Sequence, residues 1–124
     1  IDENFNNGSF SDNNLFLGFT NKTAFYFDLN NNDVLWVETI NENEVYIDGI
    51  SENTNAVLVK ANVPNLTNGQ WIYSNAKIIS KDYFNVEKEI KEINSEVSKV
   101  SLSKNNNKIF LNVDENKIEI GVEK

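Results

Sequence analysis

The sequence predicts a mainly β protein: an antiparallel β-sandwich of the jelly-roll type, one helix, and a C-terminal β-hairpin. Short segments of alternating apolar and polar residues, separated by turn residues, fill most of the region 1–78. Apolar residues then recur every three or four positions over 79–100, as expected for a helix. Alternation returns over 101–124. These three regions are the expected domain divisions.

Six predicted strands make up the sandwich. They are rich in β-branched and aromatic residues and are separated by Asn, Asp and Gly. Asp48-Gly49 and Asn68-Gly69 are strong turn signals. Several short strands at this spacing are typical of an antiparallel sandwich or barrel. The predicted strands are 15–20, 24–28, 34–40, 45–48, 56–62 and 71–78.

A heptad pattern predicts the helix and its partners. The apolar spacings are 4, 3, 4, 3, 4 and 3, which form an a/d stripe on a helix. Both stripe positions carry β-branched residues, a choice that favours three or four helices over two. We therefore expect a homotrimeric coiled coil, with a helix packed on its own sandwich as the alternative. The stripe begins at Ile79, and the expected trimer contacts are Tyr83, Val86, Ile90, Ile93, Val97 and Val100.

The last region reads as a hairpin with one apolar face. Ile109, Leu111 and Val113 share one side of a strand, and Ile118, Ile120 and Val122 share one side of the next. A lone hairpin is marginally stable in water, so this face needs a partner. The rest of the chain, a following domain or another copy could supply it.

The composition argues against most classes of enzyme. The chain has no His or Cys, and its 11 basic residues are all Lys. Thiol chemistry, Ser-His-Asp triads and His/Cys zinc sites are therefore excluded. The 19 acidic residues form no recognisable glycosidase motif. We expect a non-enzymatic protein with no cofactor.

Charge and hydropathy argue against two kinds of partner. The formal net charge is −8 at pH 7, whereas nucleic-acid binding draws most of its affinity from basic residues on phosphates. No run approaches the roughly 18 apolar residues that span a bilayer, so we expect no membrane insertion.

The turn 28–33 offers oxygen ligands at Asp28, Asn30 and Asn32, but Asp33 stands where a calcium loop needs Gly. We therefore expect a hairpin turn and no metal site.

Three aromatic residues on predicted strands are candidate glycan-binding residues: Trp71, Tyr73 and Trp36. Aromatic faces stack on the C–H faces of sugars, and amides and carboxylates bind sugar hydroxyls. The alternative is that these rings fill the sandwich core, the commoner fate of strand aromatics. Trp71 and Tyr73 share one face by the two-residue period of a strand, and either fate is open to them.

Residues 22–75 resemble a segment of phage tail-fibre and baseplate proteins. The resemblance rests on the strand 24–28 (AFYFD), on Gly49-Ile50, and on the run 55–64 (NAVLVKANVP) with its closing Val63-Pro64. It implies a jelly-roll domain followed by a short coiled coil. Related jelly-roll segments precede SGNH-type esterases, but this chain has neither a Gly-Asp-Ser block nor a His. Esterase activity is therefore not carried over.

The resemblance also implies a setting. It describes a non-enzymatic, homotrimeric appendage of a phage virion that binds, or presents binding to, a bacterial cell-surface polysaccharide. One alternative is a structural connector or oligomerisation module of a fibre. Another is a carbohydrate-binding accessory domain of a bacterial enzyme that is secreted or held at the cell surface.

Overall fold

A computed structural model describes residues 7–10, 14–52, 54–105 and 108–121. Within these ranges the chain is all-β and has no helix. The strands are β1 (Asn7–Phe10), β2 (Leu15–Phe19), β3 (Thr23–Asp28), β4 (Asp33–Thr39), β5 (Glu44–Glu52), β6 (Asn55–Asn62), β7 (Asn65–Thr67), β8 (Gln70–Ile72), β9 (Lys77–Lys81), β10 (Glu87–Glu92), β11 (Val100–Asn105), β12 (Lys108–Val113) and β13 (Asn116–Ile120).

These strands form three sheets and a separate hairpin. The N-terminal sheet has the order β1-β2-β3-β4, the central sheet β10-β9-β6-β5, and the C-terminal sheet β11-β12-β13. Strands β7 and β8 pair only with each other. All the pairings are antiparallel.

The central sheet is the middle layer of three. Ala56 and Leu58 of β6 pack in one cluster with the N-terminal sheet, whereas Val57 and Val59 pack in a second cluster with the C-terminal sheet. All four side chains are 0% exposed. Successive strand residues point to opposite faces, so this apolar run is buried on both sides.

Strand β5 contains a β-bulge, next to residues that contact both outer sheets. Its register with β6 shifts between Tyr46 and Asp48, so two residues of β5 oppose one of β6. Asp48 Oδ2 accepts a hydrogen bond of 2.8 Å from the amide of Leu102 in the C-terminal sheet. Burial raises the pKa of the Asp48 carboxyl. The turn predicted at Asp48-Gly49 is wrong, because both residues lie inside β5.

The predicted helix, and with it the coiled coil, is wrong. Residues 79–100 contain the end of β9, a loop at 82–86, β10 and the first residue of β11. Six of the seven stripe residues are β-branched, which favours strands. Asn85 has a φ of 67°, a left-handed conformation that a right-handed helix excludes. The free edge of β9 instead pairs with β10.

The stripe residues therefore have different fates. Ile79 packs against the N-terminal sheet, and Ile90 is half-buried in β10. The homotrimer prediction loses the coiled coil on which it rested. Val86 is exposed, Tyr83 is half-buried, and the core against the C-terminal sheet contains Ile93, Val97 and Val100.

The C-terminal hairpin is present as β12 and β13, with Leu111 opposite Ile118. Val122 of the predicted apolar face lies outside the described residues. Strand β11 joins it on the other side. The partner of its apolar face is the central sheet, because Ile109 and Leu111 share a cluster with Val57 and Val59. The rest of the same chain thus supplies the partner that the hairpin needs.

We predict that Gly49→Ala destabilises the fold by about 1–3 kcal/mol, the usual cost of overpacking a core. An added Cβ would lie 2.8 Å from Leu58 Cδ2 and 2.9 Å from Leu17 Cδ2. Both leucines are 0% exposed, so their side chains can shift only by displacing neighbours in the core. Urea unfolding measures the change. Gly121→Ala is the control, because its Cβ would meet nothing within 4 Å; equal stability of the two variants would contradict the packing described here.

Candidate functional site

The β7–β8 hairpin is the best candidate for a ligand-binding element. Its turn is Asn68-Gly69, with φ of 52° and 80°, the two positive values that a type I′ turn requires. The Asn-Gly turn signal in the sequence is therefore present as a turn. Leu66 lies directly opposite Trp71 in the hairpin register.

Trp71 and Leu66 form an apolar platform in solvent. Trp71 is 56% exposed and Leu66 is 61% exposed. Exposed tryptophan is uncommon in a small domain, because an indole buries a large apolar area when it enters a core. The ring of Trp71 is available for stacking against a ligand.

The base of the hairpin is fixed to the body of the protein. The amide of Tyr73 donates to the carbonyl of Val97 at 2.8 Å, and the amide of Val97 donates back at 3.0 Å. The amide of Asn62 donates to the carbonyl of Ser74. Tyr73 itself is half-buried and packs against the core of the C-terminal side. The platform therefore projects from an anchored base.

A polar groove of about 350 Å³ lies on the opposite face of the hairpin. Its apolar lining residues are Ile72 and Val97, and the other lining residues offer amide, hydroxyl and carboxylate groups. Strand alternation puts Asn65, Thr67 and Ile72 on the face away from Trp71. The other lining residues are Glu96, Ser98 and Asp114.

Asp114 is held as an ionised carboxylate at the edge of this groove. Its Oδ1 accepts hydrogen bonds from the Ser98 amide, the Ser98 hydroxyl and the Lys99 amide at 3.0–3.2 Å. The Lys99 amide is the main cause that lowers the pKa of Asp114. All three donors use Oδ1, so Oδ2 can accept from a ligand hydroxyl.

The three aromatic residues singled out in the sequence do not come together. Trp71 is exposed, Tyr73 is half-buried below the hairpin, and Trp36 is 5% exposed in the core. The indole of Trp36 donates to the carbonyl of Asp82 at 3.1 Å, and its ring lies 5.5 Å from that of Tyr26. Trp36 therefore has no free face for a ligand.

A charged cluster around Lys81 joins two layers. The Lys81 ammonium group is buried, 3.3 Å from Glu38 and 3.5 Å from Glu87. It also lies 5.2 Å from the centre of the Trp36 ring. The hydrogen bond from Asn85 Nδ2, and then the charge of Lys81, lower the pKa of Glu38. This cluster bonds internally, and we assign it a structural role.

The turn 28–33 is a hairpin turn whose carboxylate is already occupied. Asp28 is 4% exposed and accepts from the Tyr83 hydroxyl at 2.8 Å and the Asn30 amide at 2.9 Å. Asn31 Nδ2 donates to Oδ2 at 2.9 Å. Across the described residues, no group of three or more Asp or Glu side chains could hold a metal ion. The same part of the chain contains no helix long and apolar enough to cross a bilayer.

Comparison with known proteins identifies no family for this chain. No protein-family model matches the chain, and no curated protein matches it. Among solved structures it is similar to a protein of unknown function from Bacteroides caccae, with 9% sequence identity and a TM-score of 0.45. The match covers 89% of this chain but 53% of that one, so the chain spans about half the length of that protein. A likeness at this level carries no argument about function.

We predict that Tyr83→Phe destabilises the protein at neutral pH and that the loss shrinks in acid. The Tyr83 hydroxyl is the main cause that holds the pKa of Asp28 below its ordinary value. A lowered pKa contributes stability above the unfolded-state value of about 3.9, and this contribution disappears as the pH falls through the folded-state value. Urea unfolding at a series of pH values measures it.

The control is Tyr73→Phe, because Tyr73 is a half-buried tyrosine outside the turn that contains Asp28. Its effect on stability should stay constant across the same pH range. A Tyr83→Phe effect that does not change between neutral pH and pH 3 would refute the assigned hydrogen bond.

Proposed function

We propose that this chain is a non-enzymatic module whose β7–β8 hairpin binds a neutral saccharide. The observation that carries the proposal is the exposure of Trp71, which is 56% accessible on an anchored hairpin. An indole presents a flat apolar face to the C–H face of a sugar ring. Leu66, directly across the hairpin, widens that face.

Polar groups around the hairpin support the same ligand chemistry. Asn65 and Thr67 in the groove offer an amide and a hydroxyl, and Asp114 offers a carboxylate oxygen. The same groove has the apolar side chains Ile72 and Val97, and a few polar groups beside apolar ones are typical of sites that orient a small ligand. Because Trp71 and the groove lie on opposite faces of the hairpin, a saccharide of several rings contacts both only by passing around the edge of the two strands.

Charge favours a neutral saccharide over an acidic one. The chain has a net charge of −8, and two of the seven groove residues are the acids Glu96 and Asp114. An acidic polysaccharide would be repelled at this surface. Hydroxyl groups, by contrast, can donate to the carboxylates.

The biological setting of the proposal comes from the sequence resemblance of residues 22–75. On that basis, the saccharide belongs to a bacterial cell-surface polysaccharide, and the module belongs to a phage tail fibre or baseplate. An accessory domain of a secreted or surface-attached bacterial enzyme would use the same site in the same way. Both settings share the proposed chemistry, stacking on Trp71.

We predict that Trp71→Ala weakens saccharide binding about tenfold or more, the effect expected for a central aromatic contact. The fold should be unchanged, because the side chain is more than half exposed. An array of neutral and acidic bacterial polysaccharide fragments identifies the probe. Titration calorimetry with the strongest neutral fragment then compares the variant with the unaltered protein.

Phe84→Ala is the matched control, since Phe84 is an aromatic residue that is 81% exposed outside the hairpin. It should bind the fragment as the unaltered protein does. Fluorescence gives a second readout, because Trp36 is buried and only Trp71 can be shielded from a quencher by the ligand. Equal binding by Trp71→Ala, or an array with acidic fragments alone, would contradict the proposal.

A further inference from the structure

The N-terminal sheet has an uncharged surface on the side away from the central sheet. Leu17, Tyr26 and Trp36 point towards the central sheet and lie in the core between the two, so the residues that alternate with them point outward. Among the described residues of β2, β3 and β4, none of the outward-pointing ones is charged. We call this surface the outer face. It consists of Phe16, Gly18, Thr23, Phe25, Phe27, Val34, Val37 and Thr39.

A bulge in β4 places both of its valines on the outer face. The register with β3 shifts between Tyr26 and Phe27, so β4 has one extra residue there. Val37 lies opposite Phe25. Val34, only three positions earlier, lies opposite Phe27. Both valines are 58% exposed, so each of these two phenylalanines has an exposed valine beside it.

The remaining side chains of the outer face are aromatic or hydrogen-bonded to each other. Phe16 and Phe25 are half-buried, and their ring centres lie 5.9 Å apart. At one end of the face, the hydroxyls of Thr23 and Thr39 form a hydrogen bond of 3.3 Å. Covering a polar group costs little when it is already hydrogen-bonded. The outer face can therefore leave water without burying a charge.

The C-terminal sheet, the other outer layer, has a polar surface in the corresponding place. Its inward residues, such as Leu102 and Leu111, lie in the core, and its outward residues follow the usual pattern of a solvated sheet face. Those residues are Ser101, Ser103, Lys108, Phe110, Asn112, Lys117 and Glu119. Even Phe110 has the ammonium group of Lys117 over its ring, at 4.7 Å. The polar composition suits contact with water, whereas that of the outer face suits contact with protein.

We propose that the outer face is a homodimer interface, in which the N-terminal sheets of two copies of this chain pack face to face about a two-fold axis. A copy with a net charge of −8 repels another over most of its surface. The outer face contributes no charge to this repulsion, so two copies can meet there. Homodimer interfaces are also more apolar than the rest of a protein surface.

The shape of the outer face suits a second copy of itself. A two-fold contact uses the same surface on both partners, so that surface must be self-complementary. Strand β3 presents the large rings of Phe25 and Phe27, and β4 presents the smaller side chains of Val34 and Val37. An axis that passes between β3 and β4 sets the phenylalanines of each copy over the valines of the other. Sheets that pack in this way lie about 10 Å apart, with their strands about 30° from parallel.

The area of the N-terminal sheet is sufficient for a weak dimer. It has four strands of 4 to 7 residues, which corresponds to a face of about 19 Å by about 19 Å. A contact over this face and its rim buries on the order of 500 Å² per copy, and a total of about 1,000 Å² is the lower limit for a specific interface. We therefore expect a dimer that dissociates on dilution.

Sedimentation velocity over about 10 µM to about 1 mM protein tests the proposal. We expect the mass to rise from 14.2 kDa towards twice that value. Val34→Lys and Val37→Lys should each raise the dimer dissociation constant at least about tenfold, because each buries a charge in an apolar contact. Added NaCl, from about 0.02 to about 0.5 M, should strengthen the dimer of the unaltered chain because it screens the repulsion between copies.

Val63→Lys is the matched control. It makes the same change of charge at a valine that is 46% exposed and lies outside the N-terminal sheet, so it should leave the dissociation constant unchanged. Circular dichroism checks that each variant is folded. NMR of the unaltered chain locates the interface without a substitution, since the methyl signals of Val34 and Val37 should shift with protein concentration and those of Val63 should not.

Three results would each overturn the proposal: a monomer at every concentration, a trimer, or a dimer that both outer-face variants leave unchanged. In the first case a different protein or another domain would have to cover the outer face. Trp71 lies on β8 and not in the N-terminal sheet, so this inference is independent of saccharide binding. Failure of saccharide binding in a protein that dimerises as expected would remove only the proposed function.

Discussion

Burial of the central sheet on both faces is the constraint on which the rest of the structure depends. Strand β6 has no solvent-facing side over 56–59, so neither outer sheet can be lost without exposing half of it. Strand β5 contacts both outer layers near its bulge. Gly49 has no side chain and so lets Leu17 of the N-terminal sheet pack closely, and Asp48 accepts a hydrogen bond from Leu102 of the C-terminal sheet. A charged side chain in this interior needs partners of opposite charge, and Lys81 has them in Glu38 and Glu87.

The same sheet also positions the exposed aromatic residues Trp71 and Phe84. The β7–β8 hairpin lies between β6 and β9 in the chain, and the loop 82–86 lies between β9 and β10. Both are connections between neighbouring strands of the central sheet. Their residues are free of the packing demands on β6 and β9, which allows Trp71 and Phe84 to remain exposed on anchored supports.

Local signals in the sequence predict the strands well, because alternation and turn residues act over a few positions. The Asn68-Gly69 turn and the C-terminal hairpin belong to this class. The error at 79–100 arises because three- and four-residue spacing also results when short strands alternate with turns. At Asp48-Gly49 a turn signal marks a bulge, because the decisive contacts come from residues distant in sequence.

The candidate site was only partly predictable for a related reason. Alternation shows which residues share a face, but it does not show whether another layer covers that face. The central sheet covers Trp36, whereas Trp71 stays exposed. The groove also needs Ser98 and Asp114 beside the hairpin, an arrangement fixed by the bridge between Tyr73 and Val97. The helix predicted over 79–100 gives no sign of that bridge, because it places Val97 on a helix and not beside Tyr73.

Native-state hydrogen exchange, read residue by residue by NMR, tests the three-layer account most directly. Amides of β6 and β9 should exchange only through global unfolding, because their strands lie inside the middle layer. Amides of the loop 82–86 should exchange faster than those of the flanking strands β9 and β10. A continuous protected block over 79–100, with β6 opening well below the free energy of global unfolding, would contradict the account.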